Sequence, residues 1–135
     1  MKPSILKRDT WNDSSLPWLE DQLQMAIVEA LNKAEKAGLE FTWAADQNGM
    51  RTSKRQAIKA KMTGMRAGEA DLRLYFKDGR IGHIELKTKN NYPSKVQKER
   101  HELLRSLGHD VRVVRASCPQ DAVDQVLEIM DEWLS

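Results

Sequence analysis

Two stretches of alternating apolar and polar residues flank the turn dipeptide Asp78-Gly79. Gly68-Glu69-Ala70-Asp71-Leu72-Arg73-Leu74-Tyr75-Phe76 precedes it, and Arg80-Ile81-Gly82-His83-Ile84-Glu85-Leu86-Lys87 follows. This hairpin constrains the fold more than any other stretch, because its register decides which side chains share a face. With a two-residue loop, Asp71 faces Leu86, and Leu72 and Leu74 lie on the opposite face from Ile84 and Leu86. With the three-residue loop Lys77-Asp78-Gly79, a type I turn with Gly79 left-handed, Leu72 faces Ile84, and Leu74 and Leu86 join them on one face. A slip of one residue turns a strand's whole apolar set to the wrong side, so burial of the leucines selects the three-residue loop. Asp71 then stands opposite Glu85, and Lys87 shares their face.

Directly opposed carboxylates, with Cβ atoms roughly 4.5–5.5 Å apart, repel one another. Two readings fit the pattern. In one, Asp71, Glu85 and Lys87 form a salt-bridge cluster on an exposed hairpin face. In the other, a divalent cation removes the conflict. Mg²⁺ takes one or two carboxylates at ~2.0–2.1 Å and keeps waters that a reaction can use. Lys87 beside it would orient or help deprotonate such a water, or stabilise developing charge.

Residues Met1 to Ser15 are polar and irregular and read as an N-terminal arm anchored by Trp11; residues 16–135 read as a single domain. Ser14-Ser15 and Pro17 signal a helix start, and Leu19, Leu23, Ile27, Ala30, Leu31 and Ala34 recur at helical spacing until Gly38. Glu20 falls in the opening turns, where the helix dipole alone accounts for a carboxylate. Leu39 to Trp43 alternates as a first strand, followed by an Asn48-Gly49 turn. Thr52 and Ser53 offer caps for a short basic helix to about Met62, and Gly64 and Gly68 bracket a loop feeding Asp71. A helix from Ser94 to Leu107 opens on Ser94 and Gln97, a capping-box pair. Asp110 to Arg115 is the last strand, and Cys118-Pro119 opens a final amphipathic helix. The order αβαββαβα predicts an α/β domain, a mixed sheet flanked by helices.

The net charge of +2 hides a segregation. Arg51, Lys54, Arg55, Lys59, Lys61 and Arg66 fall in a stretch with no acidic residue, whereas Ala116 to Ser135 holds five acidic residues and no basic one. The basic stripe is either a solvated helix face or the footprint of a phosphate-backbone binder, to which Lys89, Lys95, Lys98 and Arg100 add charge. A single cysteine, Cys118, excludes an internal disulfide, and His83, His101 and His109 lack zinc spacing. His83 lies on the face of Glu85 by parity, yet reads as a bystander. The first residues lack the apolar core of a signal peptide, and no stretch approaches a membrane span, so an intracellular, cytoplasmic protein is expected.

Taken together these residues resemble a stand-alone VRR-NUC domain, a branch of the PD-(D/E)XK nuclease superfamily, from about Glu20 to Arg115. The Gly64 to Asp71 approach resembles the family's glycine-rich run into its aspartate, with Glu69-Ala70 where the superfamily's name has a proline. His83-Ile84-Glu85-Leu86-Lys87 resembles its Glu-x-Lys strand, Ser94-Lys95-Val96-Gln97 the opening of its next helix, and Glu20 the acidic residue of its first helix. The resemblance implies a restriction-endonuclease-like fold and a Mg²⁺-dependent DNA endonuclease, with Mn²⁺ as a substitute. In that reading Asp71 and Glu85, with the Leu86 carbonyl and Glu20 directly or through water, hold the metal. Lys87 and Gln97 serve the chemistry, and Gln97 has the capping box as its second explanation. Stand-alone domains of this kind suggest four-way (Holliday) junctions as substrate and a homodimer, for which Trp133 and the other tryptophans offer interface surface or, alternatively, monomer core. The competing function is a nucleic-acid-binding module that keeps the fold without catalysis.

Overall fold

The hairpin adopts the three-residue loop. In the computed structural model, which describes residues 8–46 and 53–135, Leu72 pairs with Ile84, Arg73 with His83 and Leu74 with Gly82. The Phe76 amide donates to the Arg80 carbonyl at 3.0 Å, and the Gly79 amide to the Phe76 carbonyl at 3.0 Å. Gly79 sits at φ +84°, the left-handed value that the turn demands. Leu72, Leu74, Ile84 and Leu86 are all completely buried, each contributing roughly 1.5–3 kcal/mol of transfer free energy.

Around this hairpin the elements follow the expected order: α1 (Glu20–Lys36), β1 (Phe41–Ala45), α2 (Lys54–Met62), β2 (Leu72–Phe76), β3 (Ile81–Thr88), α3 (Lys95–Ser106), β4 (Asp110–Ala116) and α4 (Pro119–Leu134). A single 3₁₀ turn at Arg8–Thr10 precedes them. The four strands form one sheet in sequence order, β1–β2–β3 antiparallel and β4 parallel to β3 through the α3 crossover. One face carries Leu72, Leu74, Phe76, Ile84, Leu86, Val114 and Ala116 into a core shared with Leu23, Ile27 and Leu31 of α1 and Val126, Met130 and Trp133 of α4. The other face carries Glu85, His83 and Val111, over which α3 lays His101 and Leu104. Among the described residues, no helix is long and apolar enough to cross a membrane.

Two boundaries differ from expectation for local reasons. Helix α1 starts at Glu20, not near Pro17, because Ser15 is occupied upstream: its amide and hydroxyl both donate to Asp13 Oδ1. The Leu19 amide is instead capped by Gln22 Oε1 at 2.9 Å. Strand β1 begins at Phe41, not Leu39, because the Leu39 amide donates back to the Ala34 carbonyl to close the end of α1. Leu39 is therefore spent on the helix terminus and stays exposed. The expected Asn48-Gly49 turn, the Thr52 cap and the Arg51 cation lie outside the described residues.

Three of the four tryptophans line the monomer core. Trp11, Trp18 and Trp133 are buried, the Trp18 indole donates to the Asp13 carbonyl at 2.7 Å, and the Trp133 indole donates to Asp110 Oδ2 at 2.9 Å. Trp133 lies so close over Gly82 that a Cβ there would meet its ring at 2.3 Å. Interface surface is thus not where these three aromatics go. Trp43 is half-buried and donates to Asn32.

Candidate metal centre

Asp71 is fixed before it meets any ligand. Its carbonyl accepts from the Asp46 amide at the end of β1, at 2.8 Å, and its Oδ2 accepts from the Leu86 amide at 2.6 Å. The loop leading into it crosses the first turn of α3 so closely that a Cβ on Gly68 would lie 2.7 Å from the Val96 carbonyl oxygen. Glu69 clamps that crossing: Arg100 Nε donates to Glu69 Oε1 at 2.5 Å and Arg73 Nη1 to Glu69 Oε2 at 3.3 Å. Through Glu69 this chain holds the approach to Asp71 with an ion-pair network.

Glu85 lies across the ladder from Asp71, 1% exposed, and Glu20 reaches the same point from the first turn of α1. One carboxylate oxygen from each of Glu20, Asp71 and Glu85 lies within 4.8 Å of the other two. Lys87 Nζ stands 3.8 Å from Glu85 Oε2. Gln97 forms the expected capping box and also reaches Glu85. Its Oε1 accepts from the Ser94 amide at 2.8 Å, completing the capping box with Ser94 Oγ, while its Nε2 donates to Glu85 Oε2 at 3.2 Å. Four of these residues, Glu20, Asp71, Glu85 and Gln97, border a cleft of about 300 Å³ that Gly68 and Glu69 also line.

The electrostatics of this cleft are those of a site short of positive charge. Burial, then the Asp71 charge, pushes the Glu85 carboxyl up to about 9. Burial also raises Asp71 against the pull of the Leu86 amide, and raises Glu20 against the pull of Lys87. Three converging carboxylates that all resist ionisation, with Lys87 acting on each of them, constitute a donor set of hard oxygens suited to a divalent cation. The Lys87–Glu85 ion pair of the salt-bridge reading is present, but Glu85 is buried and does not lie on an exposed face.

Sequence reasoning missed His101. It is 1% exposed, and its Nε2 lies 3.5 Å from Glu85 Oε1. The signal was present as spacing, because His101 follows Gln97 by four residues and therefore shares its helix face. His83 is buried, neither ring nitrogen has a hydrogen-bond partner among the described residues, and it packs edge-on against His109 with centroids 5.2 Å apart. Burial lowers the pKa of both His83 and His101, which favours the neutral imidazole in each.

The basic residues separate into two groups. Lys54, Arg55, Lys59 and Lys61 line α2, which buries none of its own side chains, and Arg66 is exposed beyond it. Arg66 also lines a groove of about 450 Å³ with Arg73, Arg100 and Glu69, and Glu69 is common to this groove and the acidic cleft. Arg100 is committed to Glu69 and is not a free surface cation. Lys89 donates to the Ser14 carbonyl, and Lys95 pairs with Glu99 at 3.9 Å.

Fold and site together define an α/β domain with a mixed four-stranded sheet and an acidic cleft at the hairpin. No family model matches the chain, and no curated protein matches it. Among solved structures, a "VRR_NUC domain" superposes with a TM-score of 0.50 at 24% identity, covering 81% of this chain and 94% of that one. A "VRR_NUC domain protein" superposes with a TM-score of 0.58 at 23% identity, covering 87% and 89% respectively. The fold of this chain is that of the VRR_NUC domain.

Proposed function

We propose that this chain is a VRR-NUC-type, metal-dependent DNA endonuclease that hydrolyses phosphodiester bonds. The convergence of Glu20, Asp71 and Glu85 carboxylate oxygens beside Lys87 carries the reading. The VRR_NUC fold supports it through the name that the similar structures bear.

Asp71 and Glu85 would hold the metal, with Glu20 directly or through water and the Leu86 carbonyl as further donors. Mg²⁺ held there would supply a water of lowered pKa and positive charge for the scissile phosphate. The chain's own residues do the rest. The Leu86 amide and the Asp46 amide keep Asp71 aimed at the cleft. Gln97 keeps one oxygen of Glu85 in place. Lys87, held near Glu85, orients the attacking water and offsets charge on the phosphate as the bond to the leaving oxygen breaks. Lys54, Arg55, Lys59, Lys61 and Arg66 track the sugar-phosphate backbone without reading bases, and Lys89 and Lys95 extend that contact.

The finer reading is a cytoplasmic homodimer selective for branched DNA such as a four-way junction, since two symmetric incisions need two sites and each chain offers one Asp71/Glu85/Lys87 site among the described residues. The test is a cleavage panel of single-stranded, duplex, flap, splayed and four-way-junction DNA at matched salt, in Mg²⁺, Mn²⁺ or EDTA, with light scattering on the same protein. Cation-dependent cuts lost in Asp71→Ala while DNA affinity persists establish the nuclease. Affinity without cleavage in any substrate leaves the non-catalytic binding module. A monomer that cuts junctions no faster than duplex removes the dimeric, junction-selective reading alone.

A further inference from the structure

The two oxygens of Glu85 are treated differently by α3. Oε2 accepts from Gln97 Nε2 at 3.2 Å. Among the described residues, buried Oε1 has no hydrogen-bond partner, and the same is true of His101 Nε2. These two orphaned atoms face each other at 3.5 Å. A buried polar atom without a partner is costly, and here each is the complement of the other once Glu85 is ionised and the imidazole carries its proton on Nε2. Helix α3 presents Gln97 and His101 one turn apart on a single face, so one residue serves each oxygen of the same carboxylate.

We infer that His101 is a positioning residue of the cation site: once Glu85 is ionised by a bound cation, the Nε2–H closes on Glu85 Oε1 and fixes the carboxylate so that Oε2 is the oxygen offered to the metal. The inference rests on the metal-site reading proposed above. His101 does not touch the ion or the substrate. It acts through Glu85, as the outer hydrogen-bond partners of metal-binding carboxylates do, and removing such a partner typically weakens metal affinity by ~10–100-fold.

The experiment compares the full chain with His101→Leu, His101→Met and His101→Gln, without DNA. Glutamine places an amide N–H near the position of the imidazole Nε2, whereas leucine and methionine fill space without a donor. Melting temperature and calorimetric titration are read in EDTA and against rising Mn²⁺ and Mg²⁺. The expected result is that His101→Gln keeps cation affinity within a few-fold of wild type, while His101→Leu and His101→Met lose about 10–100-fold and still fold in EDTA. If leucine prevents folding, methionine decides on the same criterion. Wild-type affinity in the apolar variants overturns the inference. So does equal loss in the glutamine and apolar variants, which would make the ring's shape, and not its N–H, the essential feature. A wild-type chain that shows no response to either cation brings down the metal-site reading itself, and this inference with it.

Discussion

Glu85→Gln is expected to stabilise the cation-free fold near neutral pH while removing its response to divalent cations. Burial and the Asp71 charge push the Glu85 carboxyl up to about 9 from an ordinary 4.5. Between those values the folded chain binds more protons than the unfolded chain. Stability that is fully present below about 4.5 is therefore lost as pH rises toward about 9. At ~1.4 kcal/mol for each pH unit above 4.5, the loss at pH 7 is about 3–4 kcal/mol. Glutamine has the same outline and no charge to suppress, so it escapes this penalty. For a chain of this length that corresponds to roughly 10 °C in melting temperature. The assay is thermal unfolding from pH 4.5 to 8.5 in EDTA at constant ionic strength. The two proteins should melt close together at the acid end and diverge as pH rises, with the glutamine variant the more stable. Saturating Mg²⁺ or Mn²⁺ should then raise the wild type and leave the variant unmoved. A variant that melts below wild type at pH 7 in EDTA, or a gap that does not widen with pH, would refute the claim that an uncompensated buried charge is what the cleft is built around.

Lys87→Met keeps the aliphatic stem and removes the charge, so folding and cation binding should persist while turnover falls by about 100-fold or more; single-turnover cleavage at saturating Mg²⁺ checks it, and unimpaired rates would remove Lys87 from the mechanism. Reversing charge at Lys54, Arg55 and Lys59 together should weaken binding to all DNA sequences alike and flatten the salt slope by roughly one for each residue that touches a phosphate. A changed base preference with an unchanged slope would contradict the assignment to backbone contact. Gly68→Ala, at φ +84° with a Cβ 2.7 Å from the Val96 carbonyl oxygen, should cost about 1–3 kcal/mol and weaken cation affinity by displacing Asp71. Denaturant unfolding measures the first effect and cation titration of the folded variant the second.

The hairpin register, the three capping and turn residues Ser94, Gln97 and Gly79, and the pairing of Asp71 with Glu85 were legible in the sequence because each rests on a short-range rule. Strand parity has a period of two, a capping box spans four residues, and a three-residue loop closes on itself. The same rules placed Glu20 in the first turn of α1, although they set the start of that helix too early and the start of β1 two residues early, where competing hydrogen bonds of Ser15 and Leu39 prevailed. Tertiary structure decided what no local pattern encodes. Whether Asp71 and Glu85 lie on a wet hairpin face or beneath α3 depends on a helix that arrives later in the chain, and that burial is what raises their pKa values. The Glu69–Arg100 clamp joins residues 31 apart, and the approach of His101 to Glu85 requires α3 to pack at one rotation over β3. Tryptophan placement was undecidable for the same reason: an amphipathic α4 can bury Trp133 against its own sheet or against a second chain, and the space over Gly82, which has no Cβ, settles it. Sequence periodicity determines which face a residue occupies; only packing determines what covers that face, because the free energy of burial belongs to the assembled elements and not to any one of them.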